Sequence, residues 1–157
     1  MRIGLLILLA GSLSAQWRHF GGDLARDTLA EHNAVRAKVG VAPLVWSDRL
    51  AAIAQQWADT LLARKQFVHS KNPAYGESLF EITGGVASPA KVVGAWAGES
   101  GQYDYAANQC RGVCGHYTQM VWRGTKEVGC AVARGGGREV WVCEYHPPGN
   151  WVGQRPY

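Results

Sequence analysis

Leu24, Leu29, Val35 and Val39 recur at near-helical spacing with His32 on the same stripe, and Gly40 follows where a left-handed residue can end a helix. This pattern predicts a first helix. A Val41-Ala42-Pro43 connection leads to Ser47, a residue type suited to an N-cap. Beyond it Leu50, Ile53, Ala54, Trp57 and Leu61 form one apolar face through a run rich in alanine and glutamine. The segment 69–85 holds Pro73, Gly76, Gly84 and Gly85, so it reads mostly as loop, with a short extended or helical piece around Glu77. Ser88-Pro89 then supplies an N-cap and a proline for the first helical position. It opens a third helix with Val92, Val93 and Trp96 inward and Glu99 near its C-terminal end. Residues 101–115, rich in tyrosine, asparagine and glycine, read as a surface connection. From Val128 to Ala133 and from Glu139 to Tyr145 the chain is rich in valine, aromatic residues and cysteine around three glycines, which predicts two antiparallel strands and their turn. Helices ahead of a mainly antiparallel sheet make an α+β layered domain, and no repeat or linker divides it.

The N-terminus follows a different rule. Met1-Arg2, an almost wholly apolar run from Ile3 to Ala10, and Gly11-Ser12-Leu13-Ser14-Ala15 read as a signal peptide over residues 1–15 with cleavage near Ser14 or Ala15. The run is short of the roughly 20 residues needed to span a bilayer. Residues 16–24 are expected to form a flexible segment and 25–157 a single domain, in a soluble, exported protein, periplasmic if the source has an outer membrane. Export agrees with four cysteines, an even number suited to an oxidising compartment. Cys130 and Cys143 flank the turn centred near Gly136, so the hairpin would bring them face to face, and Cys110 and Cys114 are close enough to close a small loop. Loss of Arg2 with the leader lowers the formal net charge from +4 to +3. The basic residues are scattered, which describes a solvated surface and gives no signal for nucleic-acid binding.

No His-Glu-x-x-His helix, Cys-x-x-Cys pair or Gly-x-Ser-x-Gly elbow occurs. Gly115-His116-Tyr117-Thr118-Gln119-Met120-Val121-Trp122 does stand out, placing one imidazole in a polar-aromatic cluster before the hairpin. With Val128-Gly129-Cys130-Ala131, His69-Ser70, Tyr75-Gly76-Glu77 and Pro147-Pro148-Gly149-Asn150-Trp151-Val152-Gly153, it resembles the CAP superfamily of cysteine-rich secretory, antigen 5 and pathogenesis-related proteins (the SCP domain). The resemblance covers roughly residues 25–157. It implies a three-layer α-β-α sandwich, a local Cys110–Cys114 pair like that of plant members, and a cleft where His69, Glu77, Glu99 and His116 converge.

Two imidazoles and two carboxylates suit a divalent ion such as Zn2+, with His69 and His116 as ligands and Glu77 and Glu99 orienting them. They also suit acid/base chemistry with Glu77 or Glu99 as the base, or a purely structural hydrogen-bonded network. The resemblance further permits a sterol, a fatty acid or another apolar ligand, since Tyr75, Trp96, Tyr103, Tyr117 and Trp122 lie near the cleft segments, although most tryptophans are expected to fill the core. Three functions follow as expectations: a non-enzymatic binding module for a metal and a small hydrophobic or envelope ligand, probed by ligand retention; a metal-dependent hydrolase or peptidase, with Ser70 beside His69 as an alternative nucleophile; and an extracellular defence or interaction protein with a cell-surface partner. A monomer is expected. His32 is expected to make buried hydrogen bonds and His146 to be exposed. Two departures from the family pattern stand out. Lys65 and Gly135 stand where plant members carry a third disulfide, which leaves the helix before His69 to be held by Trp57, Leu61 and Phe67; Ser78 stands where the usual motif has asparagine.

Overall fold

A four-stranded sheet, in the order Val45–Trp46, Glu127–Gly135, Arg138–His146 and Gly76–Thr83, separates two helical layers. The computed structural model describes the backbone of residues 16–157 and the side chains from residue 24 onward. The expected signal peptide therefore lies outside the described residues. Helix α1 is Gln16–Lys38, so it begins within the 16–24 stretch read as flexible and runs ahead of its apolar stripe. Strand β1 is Val45–Trp46, helix α2 Asp48–Arg64, strand β2 Gly76–Thr83 and helix α3 Pro89–Gly98. A 3-10 turn over Glu99–Gln102 and a small ribbon of β3 (Tyr103–Asp104) and β4 (Gln109–Cys110) precede the short helix α4 (Gly115–Met120). The chain closes with β5 (Glu127–Gly135) and β6 (Arg138–His146). Only the β1–β5 pairing is parallel.

The caps form as the residue types dictate. Ser47 Oγ accepts from Leu50 N, Ser88 Oγ accepts from Lys91 N, and Pro89 occupies the first turn of α3. Strand β2 is longer than the short extended or helical piece expected around Glu77 within the 69–85 loop. Its residues do not alternate between buried and exposed because both sheet faces are covered. Leu79 joins Ala54, Ala58 and Leu61 of α2 on one face, while Phe80 and Ile82 pack with Val92, Val93 and Trp96 of α3 on the other. The α2 face continues through Ala131, Ala133, Val140 and Val142; the opposite face carries Val128, Cys130, Trp141, Cys143 and Tyr145. A Cβ at Gly129 would stand 2.2 Å from Ala51 N, so glycine lets the first turn of α2 sit directly on the strand.

Both disulfides form, Cys130–Cys143 across the β5–β6 hairpin and Cys110–Cys114 within its local loop. Buried Arg36 joins α1 to the segment after α4, donating to the carbonyls of Ala42, Met120, Trp122 and Thr125 at 2.7–3.2 Å. Its burial lowers the guanidinium to about 10, still charged at neutral pH. His32 is buried as expected. Its Nδ1 lies 2.8 Å from Thr28 O, so it carries the proton, and Nε2 accepts from Tyr145 Oη at 2.9 Å. Desolvation lowers this imidazole to about 4.

The missing third disulfide is answered by a side chain. Arg138 donates to Leu61 O and Gln66 O at the end of α2 (3.2 and 2.7 Å) and to both oxygens of Glu81 (2.7 Å each). The helix before His69 is thus tied to the hairpin by a guanidinium. Phe67, expected to pack there, is half exposed. Lys65 and Gly135 line an open cavity of about 470 Å³ beside these bonds.

Candidate functional site

Glu77 is the second residue of β2, and its parity with Leu79 places it on the α2 face near the open edge of the sheet. Its side chain is 7 % exposed. From the loop after α2, His69 Nδ1 approaches Glu77 Oε1 to 2.6 Å, and Ser70 N donates to Oε1 and Oε2 at 2.9 and 3.3 Å. The bond to Glu77 raises the His69 imidazole above the ordinary histidine value, desolvation opposes it to a smaller extent, and the Glu77 charge adds a lesser rise. The ring itself is 61 % exposed.

A second pair stands beside the other helical layer. Glu99 is the residue at which α3 gives way to the 3-10 turn, one position beyond the helix expected to carry it. Its Oε1 lies 2.6 Å from His116 Nδ1, and its Oε2 accepts from His116 N and Tyr117 N at 3.0 and 3.3 Å, two amides of the first turn of α4 that have no intrahelical acceptor. Trp96 stacks on the His116 ring at 5.9 Å and donates its indole N–H to Leu79 O on β2. A second link between the halves is Gln119, whose Oε1 packs where a Cβ on Gly76 would fall, at 2.0 Å.

The structure therefore joins His69 to Glu77 and His116 to Glu99, as two imidazole–carboxylate pairs flanking β2. In each pair Nδ1 faces a carboxylate acceptor and donates to it, and neither Nε2 makes a hydrogen bond among the described residues. A carboxylate behind an imidazole is the arrangement that fixes the tautomer and orientation of a metal-ligating histidine. Imidazole nitrogens are donors of a type that divalent ions take. The two pairs do not form one cluster of donors: among the described residues the one group of three donors within 4.8 Å of one another is His32, Cys130 and Cys143. That group has no ligands to offer, since both sulfurs are in the disulfide and both His32 nitrogens are engaged.

Two residues near the site escape a sequence reading. Glu144 on β6 lies directly opposite Glu77 and is 1 % exposed. Burial, then the Glu77 charge, pushes its carboxyl up to about 8. His146, expected to be exposed, is half-buried at the end of β6 with its ring against Tyr75. Ser78, on the opposite face from Glu77, is fully buried beside the Tyr145 hydroxyl, so the departure from asparagine leaves Glu77 in place.

A three-layer α-β-α sandwich with an imidazole–carboxylate pair on either flank of its edge strand defines the class. The chain belongs to the CAP, or cysteine-rich secretory protein, family, whose family model matches residues 29–145. It is 47 % identical over 135 residues to pathogenesis-related protein 1A of Nicotiana tabacum, covering 84 % of this chain and 80 % of the relative. It is 40 % identical over 154 residues to pathogenesis-related protein 1 of Arabidopsis thaliana, covering 98 % and 93 %. Among solved structures it is similar to Schistosoma mansoni venom allergen-like protein 4 (TM-score 0.70, 27 % identity, 85 % of this chain and 92 % of that one). It is also similar to the crystal structure of NaASP2 with Zn2+ (TM-score 0.72, 25 % identity, 86 % and 85 %).

Proposed function

We propose that the protein is a secreted binding module of the pathogenesis-related type, whose cleft takes a divalent cation through His69 and His116. The observation that carries this reading is the matched protonation of the two rings. Each Nδ1–H is committed to a carboxylate, so each Nε2 is a preoriented donor to a metal. Zn2+ readily takes imidazole nitrogen, and the similar fold of NaASP2 with Zn2+ supports that choice. A bound ion would supply Lewis acidity at the cleft, and Glu77 and Glu99 would orient its ligands from behind. The two disulfides support an oxidising, extracellular setting. Partners from the apolar class, a sterol or fatty acid, and a cell-surface partner belong to the same reading.

Binding is favoured over hydrolysis by a further detail. His69 Nδ1 is bonded to Glu77 and not to the hydroxyl of Ser70, whose backbone amide turns to the same carboxylate, so no activated serine stands in the cleft. The test is calorimetric titration of zinc into chelator-treated protein at neutral pH, with a folded His69→Ala/His116→Ala double variant alongside. Stoichiometric binding present in the wild type and lost in the double variant is expected. No binding by the wild type, or equal binding by both, would sink the reading.

A further inference from the structure

Glu144, Glu77 and Gly129 form one row across β6, β2 and β5 on the α2 face. Glu144 is almost fully buried, and its Oε2 is enclosed without a hydrogen-bond donor. Each neighbouring element can be asked for a counter-charge. Strand β5 offers only Gly129. The first turn of α2, seated on that glycine, carries Asp48 and Arg49; Arg49 is drawn outward to Tyr75 Oη at 2.7 Å and Glu127 at 3.8 Å. Across the sheet, Tyr145 is a neutral phenol raised by burial, and Arg36 is spent on four carbonyls. From β2 comes Glu77, itself an acid, whose one cationic partner is His69. Among the described residues, then, no cation pairs with Glu144.

Two buried carboxyl groups that face each other across paired strands, with no cation between them, cannot both ionise, so one keeps its proton and shares it with the other. Glu77 already accepts from His69 Nδ1 and Ser70 N, whereas no donor reaches Glu144 Oε2, and this geometry places the proton on Glu144. An acid hydrogen also answers the lone Oε2, since that oxygen then donates to Glu77.

We propose that Glu144 is a positioning residue of the cleft: as a neutral acid it donates its carboxyl O–H to Glu77 and holds that carboxylate against Ser70 N and His69 Nδ1. The burial that raises its ionisation keeps the acid neutral at physiological pH. The role rests on reading the His69–Glu77 pair as part of the binding cleft. The proton's position is measured without any ligand, so a failure of zinc binding and a failure of this assignment are separate results.

The experiment is NMR on the folded protein from about pH 4 to 10, following the glutamate carboxyl carbons and the Ser70 amide, with Glu144→Gln beside the wild type. Glu144 is expected to keep the carbon shift of a protonated acid at about pH 6.5 and to ionise on the alkaline side, with the Ser70 amide moving at the same midpoint. Glu144→Gln, whose amide still donates, is expected to abolish that alkaline movement while leaving the Ser70 amide near its wild-type position at about pH 6.5. A Glu144 carboxyl titrating in the ordinary carboxylate range, or a Ser70 transition that persists in Glu144→Gln, would overturn the assignment. Should Glu144→Gln not fold, the wild-type carbon titration alone decides it.

Discussion

The two imidazole–carboxylate pairs share one chemistry and differ in how they are held. Glu99 bonds two amides at the start of α4, and its histidine is stacked on buried Trp96, so that pair is braced by the helical layer. Glu77 projects from an edge strand and holds an exposed ring on a loop. Behind it stands another acid. The difference teaches that the same hydrogen bond, 2.6 Å in both cases, can be a consequence of packing at one place and of protonation at another.

Removing the brace is expected to have the largest effect. Trp96→Ala deletes a core side chain and the indole bond to Leu79 O, and should cost about 4 kcal/mol in urea unfolding. In the same variant the His116 ring signals should lose the ring-current shift of the stacked indole while those of His69 stay in place. Equal movement of both rings would show that the pairs are not independently held.

Next come the carboxylates themselves. Glu99→Ala leaves two helix-start amides and His116 without their acceptor and is expected to cost about 3 kcal/mol. Glu77→Ala also removes a bonded carboxylate and the acceptor of the Glu144 acid, but the exposed His69 ring turns to water, so about 2 kcal/mol is expected. Denaturant unfolding of the two variants at one pH measures the contrast, and a Glu77→Ala loss as large as that of Glu99→Ala would break it.

Acidity separates the pairs a third way. Glu144 is raised from the ordinary carboxyl value of 4.5 to about 8, so the folded state holds a proton that the unfolded state has released, and its contribution to stability falls as pH rises between those values. His32 works in the opposite sense. Lowered from 6.5 to about 4, it adds stability as pH rises through that window. The two roughly offset each other up to 6.5, above which Glu144 outweighs the small share of His69. A fall of about 2 kcal/mol between pH 6.5 and 8 is therefore expected, at 1.36 kcal/mol per unit, and Glu144→Gln should flatten it. A wild-type curve that is already flat there would contradict this.

How much of this was open to the sequence follows from range. The caps at Ser47 and Ser88, the cysteine hairpin and the apolar faces of α2 and α3 are set by neighbours a few residues apart, so they can be read directly. Strand β2 is not legible because burial on both faces erases the period-two pattern, and Pro73 with its flanking glycines argues for loop. Helix α4 is only six residues long, below any useful periodicity. The four cleft residues were found through family resemblance alone, since no spacing unites them. Glu144 escaped because its meaning depends on register: one residue's slip would turn it to the other face, away from Glu77. Arg138 escaped similarly, for a lone arginine at a hairpin tip gives no sign that it reaches the carbonyls ending α2.

The smallest expected effect falls on His69, and it bears directly on the comparison. Its ionisation is raised by Glu77, so its share of stability is complete below the unfolded value of 6.5 and is lost as pH climbs through the folded one. A ring 61 % exposed is screened by water, which limits that share to about 0.5 kcal/mol or less. His69→Ala should therefore change stability by no more than this at acidic pH and by almost nothing at alkaline pH, while it removes half of the donor pair proposed to take a metal. Unfolding curves at about pH 5.5 and 9 test the sign. A ring that contributes so little to the fold yet is held at 2.6 Å by a carboxylate is better explained by a ligand than by stability, and a large destabilisation in His69→Ala would return it to a structural role.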